Sequence, residues 1–290
     1  MDATWLKWGR YLFAVLMVGV LGWVLLSDVG QIVFANALGI RFVAASVLGT
    51  GGLLAASMSW SALAGIPAKQ GIATFGATLP LRHLPLGGLG QAFGLAGATQ
   101  VAGVPTERVV RVTPVFMAAT AGGAGIVAGP LLWYGPAPLW LKIFVALAIV
   151  GVAVMVWFGV GVLERVTPRR WRMAVNISRA ELTRSIAWSV AAALGASSAF
   201  WLLAPTDVNL LMVAAGWSAA WLCGFVFVVS PAGLGVREVV LIALFPELDA
   251  GTVVATALTH RATTFVGEIL LFLGSWSTGE SWPRQTEESE

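Results

Sequence analysis

Two ionisable residues lie deep inside the last long apolar stretch of the chain, residues 251–276. Arg261 and Glu268 are seven residues apart, a spacing that places them on one face of a helix, two turns apart. A charge at that depth is costly unless it faces a partner or water, so both residues are candidates for function. The arginine would neutralise an anion, and the carboxylate would hold an arginine.

A second pair of charges follows a proline- and glycine-rich break at residues 231–235. Ser230 is suited to cap a helix, and Pro231 is suited to the first helical position after it. Arg237 and Glu238 come next in the chain. Neighbours in sequence do not face each other on a helix, so each of these two charges needs another partner.

A similar break lies about half the chain earlier, at residues 85–90. Arg82 and His83 precede it, and Gly87 and Gly88 lie within it. The free N–H groups and the positive dipole at the start of a helix favour an anion. The sequence therefore predicts a site for an anionic lipid headgroup built from both breaks and the last helix, at Arg82, His83, Gly87, Gly88, Ser230, Gly233, Gly235, Arg237, Glu238, Arg261 and Glu268.

Two plainer interpretations of these charges remain open. Arg82 is as well explained by an ordinary cytoplasmic anchor as by a functional role. Arg261 with Glu238, or Glu268 with Arg237, would serve equally as a purely structural clamp.

The composition predicts an integral membrane protein. Of 290 residues, 58% are hydrophobic and only 11% are charged, whereas about a quarter of the residues in a soluble domain are charged. The net charge is only +3, too small a basic excess to indicate nucleic-acid binding. A soluble enzyme and a nucleic-acid-binding protein are excluded.

Charge-free apolar runs predict an all-α, polytopic bundle of about seven to eight spans. The first run would be an uncleaved helix rather than a signal peptide, because the nearest small-residue cleavage pattern lies too far beyond it. The predicted spans cover residues 11–27, 42–63, 112–133, 143–163, 185–204, 208–229 and 251–276.

Basic residues in the short loops predict the orientation. Lys7 and Arg10 place the N-terminus in the cytoplasm, and the six arginines of residues 164–184 place that loop on the same side. The amphipathic part of this loop, residues 171–184, would lie on the inner leaflet or form a solvated linker. The predicted location is the cytoplasmic (inner) membrane, with a multi-pass topology.

The region between the second and third spans does not contain one clean crossing. Residues 71–80 are too short to span, and residues 83–106 are interrupted by Pro85 and several glycines. A re-entrant hairpin or two crossings would satisfy the orientation. Matching breaks in two halves indicate an internal repeat. We therefore expect one membrane domain over residues 1–277, with repeat halves 1–140 and 141–277, and a disordered tail at 278–290.

Other chemistries lack the residues that they need. Cys223 is the only cysteine, and two histidines far apart give no zinc-ligand spacing. The pattern GAGIVA at 123–128 resembles a dinucleotide fingerprint, but it lies in a membrane helix without a strand, and we expect it to serve helix packing. We expect no metal, no cofactor and no enzymatic activity.

The segment SPAGLGVRE at 230–238, followed by ATALTHR at 255–261, resembles the transmembrane region of the lysylphosphatidylglycerol synthase family, also called flippase-like membrane proteins. That family has the pattern P-x-G-x-G-x-R-E and then a helix that bears an arginine. Gly233, Gly235, Arg237, Glu238 and Arg261 match it. Residues 84–88 and 103–105 give a weaker match, in which His83 takes an aromatic position.

The resemblance implies a bacterial polytopic bundle with re-entrant segments that moves an anionic lipid between leaflets. It does not imply lysyl transfer, because the transferring members carry a separate soluble catalytic domain. The expected ligand is an anionic phospholipid or a polyprenyl-phosphate-linked headgroup. Three alternatives stay open: a non-catalytic scaffold or accessory subunit of a membrane enzyme that modifies lipids or glycans, a membrane enzyme that transfers a group onto a lipid, and an ion-coupled solute carrier.

Overall fold

A computed structural model describes residues 39–83, 88–101, 103–131, 137–158, 177–205, 208–226 and 235–277. These residues form nine α-helices and one 3₁₀ turn, and none of them is in a β-strand. The all-α fold class is confirmed. The elements are α1 (Ile40–Ala64), α2 (Ala68–Thr78), the 3₁₀ turn (Leu79–His83), α3 (Gly88–Val101), α4 (Thr106–Ala128), α5 (Leu139–Phe158), α6 (Arg179–Leu203), α7 (Leu210–Val226), α8 (Val236–Leu244) and α9 (Ala250–Ser277).

The predicted spans match some of these helices more closely than others. α1 and α9 begin and end within two residues of the predicted bounds, whereas α4 and α6 each begin six residues earlier. These two predicted starts were wrong because a charged first turn was taken for a loop. The span predicted at 11–27 and the tail predicted at 278–290 lie outside the described residues.

The apolar surface supports a membrane protein. α1, α4 and α6 are long and apolar enough to cross a membrane. On α5 the large apolar residues recur every three or four positions along one exposed stripe, as a face in contact with lipid requires. The stripe consists of Leu139, Ile143, Leu147, Val150 and Val154.

α1 and α6 cross at glycines, so that their backbones touch. A Cβ atom on Gly52 would lie 3.0 Å from the carbonyl oxygen of Ala192, and one on Gly195 would lie 2.9 Å from the Cα of Gly52. Further along, the hydroxyl of Ser59 bonds to those of Ser185 and Ser189 at 2.8 and 2.9 Å. The contacts run in opposite directions along the two sequences, so the helices are antiparallel.

The first hairpin, comprising α2, the 3₁₀ turn and α3, leaves and returns at the C-terminal end of α1. Near the start of α2, a Cβ on Gly71 would lie 2.6 Å from the Cβ of Ser61. Near the end of α3, Thr99 accepts a hydrogen bond from the Trp60 indole at 3.2 Å. Both ends of the hairpin therefore contact the last turns of α1.

The second hairpin, comprising α7 and α8, has its base at the opposite end of the bundle. A Cβ on Gly216 of α7 would lie 2.8 Å from the Phe245 ring, which directly follows α8. Phe245 lines a small apolar cavity together with Ala204 and Pro205, just after α6. The C-terminal end of α6 lies beside the N-terminal part of α1, so the two hairpins extend toward each other from opposite ends.

Two separate apolar cores fill the two ends. One contains residues of α1, the first hairpin and the early parts of α4 and α6, with Leu271 of α9. The other contains residues of α5, the second hairpin and the ends of α4 and α6, with Val253 and Ala257 of α9. α9 thus passes from one core to the other, as α4 and α6 also do. Arg261 and Glu268 lie on α9 between Ala257 and Leu271.

The motif at 123–128 packs helices, as predicted. A Cβ on Gly123 would lie 2.6 Å from the backbone of Ser189 on α6, and one on Gly125 would lie 2.9 Å from Ala148 on α5. Trp217 and Cys223 are both buried in the second core, also as predicted.

Candidate functional site

Close backbone approaches fix the height of α9 in the bundle. A Cβ on Gly267 would lie 2.6 Å from the Thr50 hydroxyl of α1, and one on Gly76 of α2 would lie 2.6 Å from the Leu271 carbonyl oxygen of α9. Thr50 precedes the end of α1 by about four turns, or roughly 20 Å. Glu268, next to Gly267, therefore lies at the mid-height of α1.

The turn of the first hairpin reaches this level and forms an ion pair there. Arg82 Nη1 donates to Glu268 Oε1 at 2.9 Å, and the Glu268 side chain is only 4% exposed. Arg82 is therefore no free cytoplasmic anchor. Arg82 was not predicted from the sequence as a partner of Glu268.

The second hairpin is held to α9 by an ion pair of the opposite polarity. Arg261 Nη2 lies 3.0 Å from Glu238 Oε1, and its Nε donates to the same oxygen at 3.2 Å. The other Glu238 oxygen accepts the Gly235 N–H at 2.8 Å. Gly235, with a φ of +82°, precedes α8 directly. The expectation that Glu238 pairs outside its own helix is confirmed.

Arg237 lies beside this pair and forms no salt bridge with another described residue. Its Nε is buried and has no hydrogen-bond partner within the described ranges. Its guanidinium carbon lies 6.0 Å from the centre of the Trp221 ring on α7, at the outer limit of a cation–π contact. Its charge interacts directly with those of Arg82, Arg261, Glu238 and Glu268, so all five belong to one charged layer.

The charged layer, defined as Arg82, Arg237, Glu238, Arg261 and Glu268, carries one excess positive charge. The two carboxylates are each engaged by one arginine, which leaves Arg237 as the excess cation. Apolar cores lie on both sides of the layer, where little water screens a charge. A singly charged anion beside Arg237 would make the layer neutral.

His260 lies next to the layer and is buried, at 3% exposure. Its Nε2 lies 2.9 Å from the Ala196 carbonyl oxygen of α6. Its ring centre lies 4.1 Å from that of Trp217 and 5.7 Å from that of Phe200, so the imidazole fills a gap in an aromatic cluster.

The structure describes only some of the remaining predicted site residues. His83 ends the 3₁₀ turn and Gly88 begins α3, so both flank the first break. Gly87, Ser230 and Gly233 lie outside the described residues, as does the predicted cap at Ser230. In the described chain α8 begins at Val236.

A further ion pair escaped the sequence analysis. Arg108 of α4 bonds to Glu181 of α6 at 2.8 Å and to the Leu63 carbonyl oxygen of α1 at 3.0 Å. The sequence signal that could have revealed it is a capping box, in which Ser178 and Glu181 bond reciprocally at the start of α6. This box indicates that α6 begins before Glu181. Ile177, predicted to face the inner leaflet or solvent, is buried in the first core. This prediction was wrong because Ile177 precedes the cap and packs inward.

No set of three or more His, Cys, Asp or Glu side chains suited to a metal occurs among the described residues. No protein-family model and no curated protein matches the chain.

Proposed function

We propose that this protein is a flippase-like lipid translocase of the cytoplasmic membrane. It binds the headgroup of an anionic phospholipid or a polyprenyl-phosphate-linked lipid in the charged layer. The observation that carries this proposal is Arg237, whose buried Nε has no hydrogen-bond partner in the described part of the chain. A buried guanidinium with an unused donor is rare and unfavourable, and a phosphate or carboxylate oxygen satisfies it.

The arrangement of the two hairpins supports movement of the headgroup as well as binding. Their bases lie at opposite ends of the bundle, and their facing ends carry the charges that meet α9. In this proposal both are re-entrant and belong to inverted repeats. Each hairpin then closes the charged layer on its own side, and opening one at a time exposes the headgroup to one leaflet.

A non-catalytic scaffold for a membrane enzyme is the second candidate, because four of the five charges are already paired. The pairs Arg82–Glu268 and Arg261–Glu238 tie both hairpins to α9 without any ligand. A protein whose charges serve only to hold its helices would display the same two pairs. Loss of lipid binding when Arg237 is substituted would favour the translocase, and unchanged lipid binding would favour the scaffold.

The test is native mass spectrometry of the purified protein, comparing wild type with Arg237→Ala. A matched control is Arg41→Ala, which removes an exposed arginine from the start of α1. We expect a specific anionic lipid to remain on the wild type and on the control but not on Arg237→Ala. If all three proteins carry the same mixed lipids, the translocase proposal fails and the scaffold is favoured.

A further inference from the structure

The imidazole of His260 has one ring nitrogen in use and one without a partner. Nε2 lies 2.9 Å from the Ala196 carbonyl oxygen, which can only accept a hydrogen bond, so Nε2 carries the proton and donates it. Nδ1 then bears the lone pair of the neutral ring. This atom is buried and bonds to nothing in the described ranges, so the structure contains a basic nitrogen at the level of the charged layer that is not engaged.

The aromatic side chains around His260 suit a cation. The Trp217 ring is tilted against the imidazole at 4.1 Å between centres, and the Phe200 ring stands at 67° to it at 5.7 Å. Aromatic faces attract a positive charge, most strongly where water is excluded. Burial and the arginines of the layer disfavour an imidazolium in the empty layer, and the aromatic rings offset part of that cost.

The charges that act on His260 come mainly from the layer itself. Arg237, Arg261 and Arg82 act on it directly, and the two carboxylates of the layer are each paired with an arginine. Other described titratable groups on the elements packed around it are Arg41 on α1, Lys69 on α2, Arg179, Glu181 and Arg184 on α6, and Cys223 on α7.

We propose that Nδ1 of His260 binds one proton together with the anion at Arg237. The inference rests on the proposed function and adds a second ligand to the same layer. In the empty layer a proton on His260 adds to one excess positive charge. An anion at Arg237 cancels that excess, so the proton is held more tightly when the anion is present, and by reciprocity the anion is held more tightly when the proton is present.

The coupling transfers one proton from water to Nδ1 on binding and returns it to water on release. No bond other than N–H forms or breaks. If the two ligands leave on the other side of the membrane, the protein moves an anion together with a proton. A proton gradient would then drive the lipid in the same direction.

The experiment measures proton uptake when a soluble anionic lipid binds. Full-length protein in detergent is titrated with dihexanoyl-phosphatidylglycerol, whose phosphodiester stays singly charged between pH 6 and 8. Calorimetry in two buffers of different ionisation enthalpy gives the number of protons bound per lipid. We expect wild type to take up a proton, and its affinity to fall by up to about tenfold per pH unit over part of this range.

Two variants assign the proton. His260→Gln keeps an amide N–H for the Ala196 carbonyl but has no basic nitrogen, so it should bind the lipid without proton uptake. The matched control Arg41→Ala, which removes an exposed arginine outside the layer, should still take up the proton. Size-exclusion chromatography checks that each variant is folded, and the wild-type proton count stands even if a variant is not.

Each other result overturns the inference. Lipid binding by wild type without proton uptake refutes it and leaves the proposed function intact. Proton uptake that persists in His260→Gln assigns the proton elsewhere. If wild type does not bind the lipid, this inference fails for a phospholipid, whereas the proposed function is decided by the native mass spectrometry of Arg237→Ala.

Discussion

The two hairpins are attached to α9 by the same kind of bond with the charges reversed. The first hairpin supplies the cation, Arg82, and α9 supplies the carboxylate of Glu268. The second hairpin supplies the carboxylate of Glu238, and α9 supplies the cation, Arg261. The second attachment is also the more exposed, since the carboxylate side chains are 4% and 11% exposed in the first and second pair.

The difference assigns separate tasks to the two hairpins. The first brings one cation to the layer, and that cation is used in a buried pair. The second brings Arg237 as well as Glu238, and Arg237 keeps an unused donor within the described structure. The first pair is therefore the firmer structural attachment, whereas the second hairpin provides the cation that we propose for the ligand.

The comparison predicts unequal costs when each carboxylate is neutralised. Glu268→Gln should lower the free energy of unfolding by about 3 kcal/mol, because it leaves the charge of Arg82 without its buried partner. Glu238→Gln should cost about 1 kcal/mol, because the amide oxygen still accepts the Gly235 N–H and the pair is more exposed. Equilibrium unfolding in mixed detergent micelles measures both.

A charge-swapped double variant provides the control for the larger effect. Arg82→Glu combined with Glu268→Arg restores an ion pair at the same place, and it should recover part of the stability that Glu268→Gln loses. A larger loss of stability in Glu238→Gln than in Glu268→Gln would contradict the conclusion that the first pair is the firmer attachment.

The backbone at the start of the second hairpin's α8 gives a smaller effect. Gly235 has a φ of +82°, and a Cβ there would meet no described residue within 4 Å, so Gly235→Ala tests the backbone conformation. We expect a loss of about 1 kcal/mol. The matched change Gly97→Ala, in open space within α3, should stabilise slightly, because alanine is favoured over glycine inside a helix. Equal effects of the two changes would contradict a strained turn at Gly235.

The smallest predicted effect lies at the start of α9, beside the base of the second hairpin. The Thr252 hydroxyl and the backbone N–H groups of Gly251 and Thr252 bond to the Asp249 carboxylate, and these bonds hold its pKa below the ordinary value of 3.8. A lowered pKa in the folded state means that the ionised carboxylate stabilises the fold above that ordinary value. The contribution disappears as the pH falls through the lower folded pKa.

Asp249→Asn should therefore be slightly less stable than wild type at neutral pH. Thermal unfolding of both proteins from pH 7 to pH 3 should show the difference shrinking toward the acid end of this range. A difference that stays constant over the whole range would show that the charge of Asp249 has no part in it.

The sequence predicted the helices better than their ends. Apolar runs define α1 and α9 closely because the burial of apolar side chains decides where those helices lie. The same rule placed the starts of α4 and α6 too late. There, Arg108 and Glu181 lie within the first turns of the helices and pair with each other. A search for stretches without charged residues excludes both of them, so it starts each helix too late.

At the site, too, the sequence predicted which residues matter but not which residues distant in sequence contact each other. The sequence identified Arg82, Glu238, Arg261 and Glu268, since charges in apolar helices are costly wherever they lie. It did not predict that Arg82 contacts Glu268, because that contact depends on how far the first hairpin reaches along α9. Nothing in the sequence shows that the Trp217 and Phe200 rings pack against His260.

The opposite polarity of the two attachments has an electrical consequence. Moving one elementary charge across a potential of 100 mV is worth about 2.3 kcal/mol. A shift of the first hairpin along the membrane normal would carry the charge of Arg82, and a voltage would drive it. The same shift of the second hairpin would carry Arg237 and Glu238 together, whose charges cancel, so this hairpin would respond to voltage only with an anion bound.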